Sequence, residues 1–181
     1  MKDNLHVGNE ARERIIDGIR TCAEVVGRTM GTAGYNALIE ALENPGHLMT
    51  NDGATILASI RFEDPLQEMG RKILLEAVSR ANKASGDGSS TTTVLTAAIL
   101  EEGVKHLDKA KPMEIKKSLE AALPQIEELI NKEKIDIVKD GEIDLNLLKQ
   151  VATISAEDET IGSTIAEIYS KIGVGGIVHW D

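Results

Sequence analysis

Aromatic side chains are nearly missing from this chain, where one Trp, two Tyr and one Phe make up 2% of 181 residues. Strands are enriched in aromatic and β-branched residues. A core made of Ile, Leu, Val, Ala and Met therefore points to a mainly α fold. The single cysteine, Cys22, excludes an internal disulfide. The four histidines are scattered, and there is no CxxC, no Gly-Lys-Ser/Thr and no serine elbow. Those absences exclude a zinc site, a P-loop and a hydrolase triad. No apolar run has membrane-spanning length and no signal-peptide pattern is present, so the expected compartment is the cytoplasm. Basic residues are outnumbered 20 to 30, giving a net charge of −10. Such a surface argues against nucleic acid and against an anionic membrane as partners, while leaving room for a local anion site.

A chain of 181 residues can bury a real core in one domain or two small ones. After a short extended candidate at Leu5-His6-Val7, a helix is expected from Asn9, as its N-cap, to Arg28, with Ile15, Ile19, Cys22 and Val26 on its buried stripe. Ala37 to Glu40 and His47 to Thr50 flank the turn-rich tip Glu43-Asn44-Pro45-Gly46, which predicts a β-hairpin. A hairpin standing alone is marginal and wants a partner strand. Helices follow from Ala54 to Ile60 and from Asp64 to Ala84, the second with Leu66, Met69, Ile73, Ala77 and Ala81 in register. The helix from Thr91 to Leu107 is apolar nearly all round between Val94 and Leu100, so it is expected to be the buried centre of the domain. Another runs from Pro112 to Lys132, where the interior Pro124 predicts a kink or break at a cost of about 3 kcal/mol. The charged stretch 132–141 reads as a boundary, giving units 1–133 and 134–181. Helices from Asp144 to Ile154 and Glu157 to Ile172 complete the second unit, before a terminal strand, 176–181, whose missing partner suggests a fold that continues.

The stretch Gly86-Asp87-Gly88-Ser89-Ser90-Thr91-Thr92-Thr93 carries the chemistry, because only here do glycines, a carboxylate and five consecutive hydroxyls meet. The glycines let the backbone come close to a ligand, and the following helix offers unpaired N–H groups to an anion. Asp87 would repel a polyphosphate unless a hard cation such as Mg2+ lay between them. The same residues would also serve as caps, Gly86 ending one helix and Asp87 or Ser89 starting the next. Five hydroxyls exceed what a cap requires, and the excess favours a ligand. Asp52, at the start of the short helix, is either an ordinary cap or a polar group aimed at the same site.

Five strings, GNEAR at Gly8, TMGTAGYN at Thr29, TNDGATIL at Thr50, GDGSSTTT at Gly86 and TISAEDETIG at Thr153, together resemble chaperonin signatures in chaperonin order. The resemblance is to the group I, GroEL-type subunit. It implies the first half of a helical equatorial ATPase domain with a small β-hairpin, then the ascending segment of an intermediate domain. It implies ATP and Mg2+ as ligands. Thr29, Met30, Gly31, Thr32 and Asn51 would line the nucleotide, Asp87 would meet the metal, and Gly88, Ser89, Ser90 and Thr91 would wrap the phosphates. Asp52 would position the attacking water, and Ile154 and Ser155 would link the nucleotide to the intermediate domain. The implied partners are copies of the same subunit in a ring, with the hairpin pairing to a neighbour's strand. Unfolded clients and a co-chaperonin would follow only where an apical domain is supplied.

The chain departs from the family at places that matter. Thr-Leu-Gly-Pro-Lys-Gly-Arg-Asn becomes Thr29 to Asn36, without the two cations and the proline. Asn51 stands where group I subunits have lysine, although TNDGATIL itself resembles group II, and Ser89 and Ser90 replace threonines. The resemblance also places the family's catalytic base and the second wall of its pocket beyond Asp181. Two functions are thus weighed: the amino-terminal part of an ATP-driven folding machine, or a stand-alone binding or assembly module without turnover. With half a pocket and uncovered apolar helices, the chain by itself is expected to be a poor ATPase and to self-associate.

Overall fold

The computed structural model describes residues 8–40, 46–173 and 175–179. The expectations at Leu5-His6-Val7, at Glu43 to Pro45 of the hairpin tip and at Trp180-Asp181 lie outside them. The elements are α1 (Asn9–Gly27), β1 (Ala37–Glu40), β2 (His47–Thr50), α2 (Gly53–Ser59), α3 (Pro65–Ser85), α4 (Ser89–Lys105), α5 (Pro112–Glu133), β3 (Val138–Lys139), β4 (Glu142–Ile143), α6 (Leu145–Ala156) and α7 (Glu159–Ile172). The fold is mainly α with a small hairpin, as the composition implied. Contacts divide the chain after Lys117, inside α5, into two compact units.

Carboxylates start most helices. Asp52, Asp64, Asp144 and Asp158 each accept a backbone N–H from the first turn they cap. Asp64 is followed by Pro65 at the first helical position, where its fixed φ is already helical. The N-cap of α1 is Gly8 rather than Asn9, which is already helical. β1 and β2 pair antiparallel, Ala37 opposite Thr50 and Glu40 opposite His47.

In the first unit α1 packs on α3 and α4, with α2 against both α3 and α4. Ile19, Cys22 and Val26 of α1, Ile56 and Leu57 of α2, Leu74 and Val78 of α3 and Ala97 of α4 form one core cluster. The α1 stripe lies as its periodicity predicted, Ile15 packing at its edge. On α3 the stripe is rotated: Leu66, Gly70, Leu74 and Val78 are buried, while Met69 and Ile73 are close to half exposed. The reason is Gly70, which has no hydrophobicity to register in a pattern but marks the line of closest approach. A Cβ there would fall 3.2 Å from the Ile15 carbonyl carbon, and one on Gly18 only 2.7 Å from the Gln67 Cα, so the two helices cross backbone to backbone.

α4 is not a buried centre. Its Ser89, Thr93 and Ala97 face inward at intervals of four, and Leu95 and Ile99 are 54% and 50% exposed. The elements of this unit cover one face of a helix that is apolar on more than one. α5 is continuous through Pro124, so the expected break does not occur. Its Leu119, Leu123, Ile126 and Leu129 are exposed.

The second unit is built from α6 packed on α7, through Ala152, Gly162 and Ala166. A Cβ on Gly162 would fall 2.7 Å from the Thr153 nitrogen, another close crossing. Before α6 stands a hairpin that the sequence patterns do not predict, β3 with β4, turned by Asp140 and Gly141 at φ 52° and 84°. Residues 176–179 form no strand, and Ile177 is 95% exposed.

Two outcomes test this packing. Gly70→Ala puts a methyl group against backbone that cannot swing aside, and about 1–3 kcal/mol of stability should be lost in urea melts, more than for Ala at an exposed helical site. Burial raises the Cys22 thiol from 9.0 to about 11. The folded state therefore holds its proton more tightly than the unfolded one, so this contribution is complete below pH 9 and is lost as pH rises toward 11. Native chain at pH 8 should resist a thiol reagent that labels it at once in urea.

Candidate functional site

α3 ends where Gly86 takes the left-handed conformation, φ 76°, with its N–H donated to the Asn82 carbonyl at 2.8 Å. The Ser85 hydroxyl bridges the Ala81 and Asp87 carbonyls at 2.9 and 2.8 Å, which fixes the backbone of Asp87. One carboxylate oxygen of Asp87 accepts the Gly88 N–H at 2.5 Å, and the residue is exposed. Gly88, at φ 92°, is the N-cap of α4 and offers no side chain to the first turn. A capping side chain would satisfy one of the orphan amides at a helix start. Here that turn is left to another acceptor. Ser89 is buried and its carbonyl accepts the Thr93 hydroxyl at 2.9 Å, whereas Ser90 is half-buried and Thr91 exposed.

A second helix start meets this one. Gly53, the first residue of α2, is buried against Ser90, and a Cβ on it would fall 3.0 Å from both the Cα and the nitrogen of Ser90. Glycine is thus required for the two first turns to touch, and Asp52 is carried to the rim of the α4 terminus. Thr55 donates its N–H to Asp52 Oδ2 at 2.7 Å, and the Asp52 N–H is donated to the Thr50 hydroxyl at 3.1 Å. Burial works to raise the Asp52 carboxyl, but hydrogen bonds from Thr55 and from the Ala54 amide outweigh it and hold the group below its usual range. Asp52 is both a cap and a neighbour of the α4 turn; the two readings do not compete.

The third wall comes from the end of α1. Gly27 lies against Val94, a Cβ there meeting its Cγ2 at 3.6 Å, so the chain leaves α1 beside the second turn of α4. The Thr29 hydroxyl donates to the Val26 carbonyl at 2.8 Å, and the Tyr35 N–H to the Arg28 carbonyl at 2.9 Å, folding 29–36 into a closed loop. Gly34 sits against the Thr29 carbonyl group, where a Cβ would have no room. Gly31 has φ 79°, and Met30, Gly31, Thr32 and Asn51 are exposed. Ile154 and Ser155 belong to the last turn of α6 in the second unit, where Ile154 is 77% exposed.

Sequence reasoning missed Thr55, whose amide holds the Asp52 carboxylate, and Thr50 and Ser85, whose hydroxyls bond the backbones of Asp52 and Asp87. The spacing of Asp52 and Thr55, cap and third helical residue, was the available signal. A cleft of about 510 Å3 opens between α2 and α3, lined by Ala54, Thr55, Ala58, Leu75, Val78 and Asn82 among others. None of the expected ligand residues lines it, so the cleft and the polar site are neighbours through Thr55 and not one cavity. Among the described residues no three His, Cys, Asp or Glu side chains cluster as metal ligands. A magnesium ion at Asp87 would take one protein carboxylate and complete its shell with phosphate oxygens and water, a usual arrangement for that ion. Free amides on a glycine-capped helix, a lone exposed carboxylate and close glycine contacts fit a metal-bound polyphosphate.

Residues 22–172 match the family model described as the TCP-1/cpn60 chaperonin family. Among solved structures, the chaperonin gp146 from the bacteriophage EL 2 (Pseudomonas aeruginosa), crystallised in presence of ATP-BeFx, is similar over 92% of this chain at 24% identity, with a TM-score of 0.74. A group III chaperonin in the open state is similar over 90% at 23% identity, with a TM-score of 0.70. The chain spans 29% and 32% of the lengths of those two proteins.

The cap at Asp52 can be tested without any ligand. Asp52→Ala should cost about 1 kcal/mol at pH 7 and Asp52→Asn much less, since Asn also caps. The folded carboxyl sits below its unfolded value of 3.8, so its contribution is complete above that pH and is lost as pH falls through the folded value. The stability gap between wild type and Asp52→Ala should therefore close in acid, and a gap constant down to about pH 2 would rule the capping carboxylate out.

Proposed function

We propose that this chain, which belongs to the TCP-1/cpn60 chaperonin family, binds Mg-ATP on the first turn of α4 and takes part in its hydrolysis, as a subunit of an ATP-dependent folding ring. One observation carries the reading. The Gly53–Ser90 contact sets the first turn of α2, which Asp52 caps, against the helix start that Gly88 leaves uncapped. Gly88 to Thr91 wrap the phosphates through the amides of 89–91, Thr29 to Thr32 close the opposite wall with Asn51 at the edge, and Asp87 holds the metal. Magnesium, when bound, neutralises the phosphate oxygens and favours attack at phosphorus. Asp52, kept ionised by its hydrogen bonds, orients the water that attacks. Ile154 and Ser155 would relay the state of the nucleotide to the intermediate segment.

Ring assembly with copies of the same chain is supported by the hairpin. β1 and β2 form a two-stranded sheet, with Leu38 and Met49 69% and 67% exposed, and such a ribbon gains most from a further strand. A group I assignment is proposed on the five strings taken together, although TNDGATIL by itself resembles group II. Among the described residues no helix is long and apolar enough to cross a membrane. Clients and a co-chaperonin belong to the proposal only where an apical domain is supplied.

Phosphate release by a complete, assembled version of the subunit tests the site, since the 181-residue chain by itself is expected to turn over poorly. Asp87→Ala should abolish Mg-ATP turnover with helix content retained. Asp52→Ala should keep nucleotide affinity within a few-fold while turnover falls about 10²-fold, the size of a lost proton-handling or water-orienting group. Turnover equal to wild type in Asp87→Ala, or weakened binding with unchanged turnover in Asp52→Ala, would reject the respective role.

A further inference from the structure

Arg71 is 6% exposed on α3, in a wall of the core that it shares with Cys22, and nothing in the proposed chemistry uses it. Its guanidinium grips the Glu68 carboxylate with both arms, Nε to Oε2 at 2.9 Å and Nη2 to Oε1 at 2.5 Å. The remaining arm, Nη1, donates to the Leu57 carbonyl at 3.3 Å, in the last turn of α2. Glu68 in turn accepts the backbone N–H of Phe62, in the segment joining α2 to α3. The ion pair thus holds the C-terminal end of α2 and the strap that follows it. α2 has seven residues, too few to be helical by its own stability. What places it is tertiary: Ile56 and Leu57 in the core, and this pair at its far end.

We infer that Arg71 and Glu68 are positioning residues for the site, setting where α2 stands and so where its N-cap, Asp52, meets the first turn of α4. The inference rests on the role proposed for Asp52. Stability alone would not call for this device, because a buried ion pair is often replaced by apolar residues of similar volume at no loss. What an apolar pair cannot do is hold a carbonyl and an amide at the two ends of a strap in fixed register. Lysine would keep the charge and lose the planar fork.

Amide hydrogen exchange on the purified protein reads the effect directly, because the Thr55 and Ile56 amides are donated to Asp52, at the opposite end of α2 from Arg71. In Arg71→Met/Glu68→Leu these two amides should exchange about tenfold faster, with Cys22 and Leu74 amides within about twofold of wild type. Arg71→Lys should fall between. Unchanged protection at Thr55 and Ile56 in a folded double variant, or an equal acceleration at every amide, overturns the inference. Should the double variant not fold, Arg71→Lys decides in the same way. A parallel measurement of Mg-ATP turnover should show kcat reduced and KM kept in the variants. Where wild-type turnover is too low to divide into kcat and KM, as half a pocket implies, the exchange rates decide by themselves for or against Arg71 and Glu68.

Discussion

The structure of the first unit depends on the crossing of α1 over α3 at Gly18 and Gly70. Each glycine lies against the backbone of the other helix, so the two axes come closer than any side chain would allow. Ile19, Cys22 and Val26 are thereby sealed against Leu74 and Val78, and one face of α4 closes the cluster with Ala97. α2 has too few residues to choose its own position and is fitted to this frame. The contact of Gly53 with Ser90 is thus a consequence of the crossing, transmitted through α3, and the site inherits its geometry from two glycines far from any ligand group.

Much of this was legible in the sequence because the signals are local. Aspartate before an apolar period starts α2, α3 and α6, and Gly86 stops α3, as capping chemistry requires, whereas α7 begins after Asp158 and not at Glu157, which ends α6 in the left-handed conformation. The expectations that failed depend on partners. Met69 and Ile73 are in helical register but on the wrong side, because the buried line of α3 runs through a glycine. α4 has an apolar composition on several faces, and composition does not reveal which face has a neighbour. The Asp140-Gly141 turn is a strong hairpin signal. It is hidden inside a charged stretch, since β3 and β4 have two residues each and no alternation to display.

In the candidate site, the caps and the proposed ligand groups are the same atoms, which is why local reading could not separate them. Asp52 caps α2 and precedes the glycine that touches Ser90; Asp87 accepts the amide of Gly88 through one oxygen and leaves its side chain exposed. Only the contact between two helix starts supports a shared site, and it appears in the sequence merely as the glycine after Asp52. The orienting hydroxyls of Thr50 and Ser85 are equally invisible there, because their partners are backbone groups placed by turns.

The electrostatics of that site follow from what it lacks. The wall from Thr29 to Asn36 carries no cation, Asn51 is neutral, and the chain as a whole has a net charge of −10. A polyphosphate arriving at the first turn of α4 meets backbone amides and the positive end of one helix dipole, worth about 0.3–1 kcal/mol at an exposed terminus. Opposing it are two carboxylates, Asp52 and Asp87. Amides alone do not overcome a repulsion between multiple negative charges at contact distance, where each pair costs about 1 kcal/mol even in bulk water and more beside a protein wall. On the proposed reading the divalent cation is therefore no accessory to chemistry but the main source of attraction. On that reading a cationic loop could hold a nucleotide by its own charge, whereas this neutral one would have to take the metal and the nucleotide together.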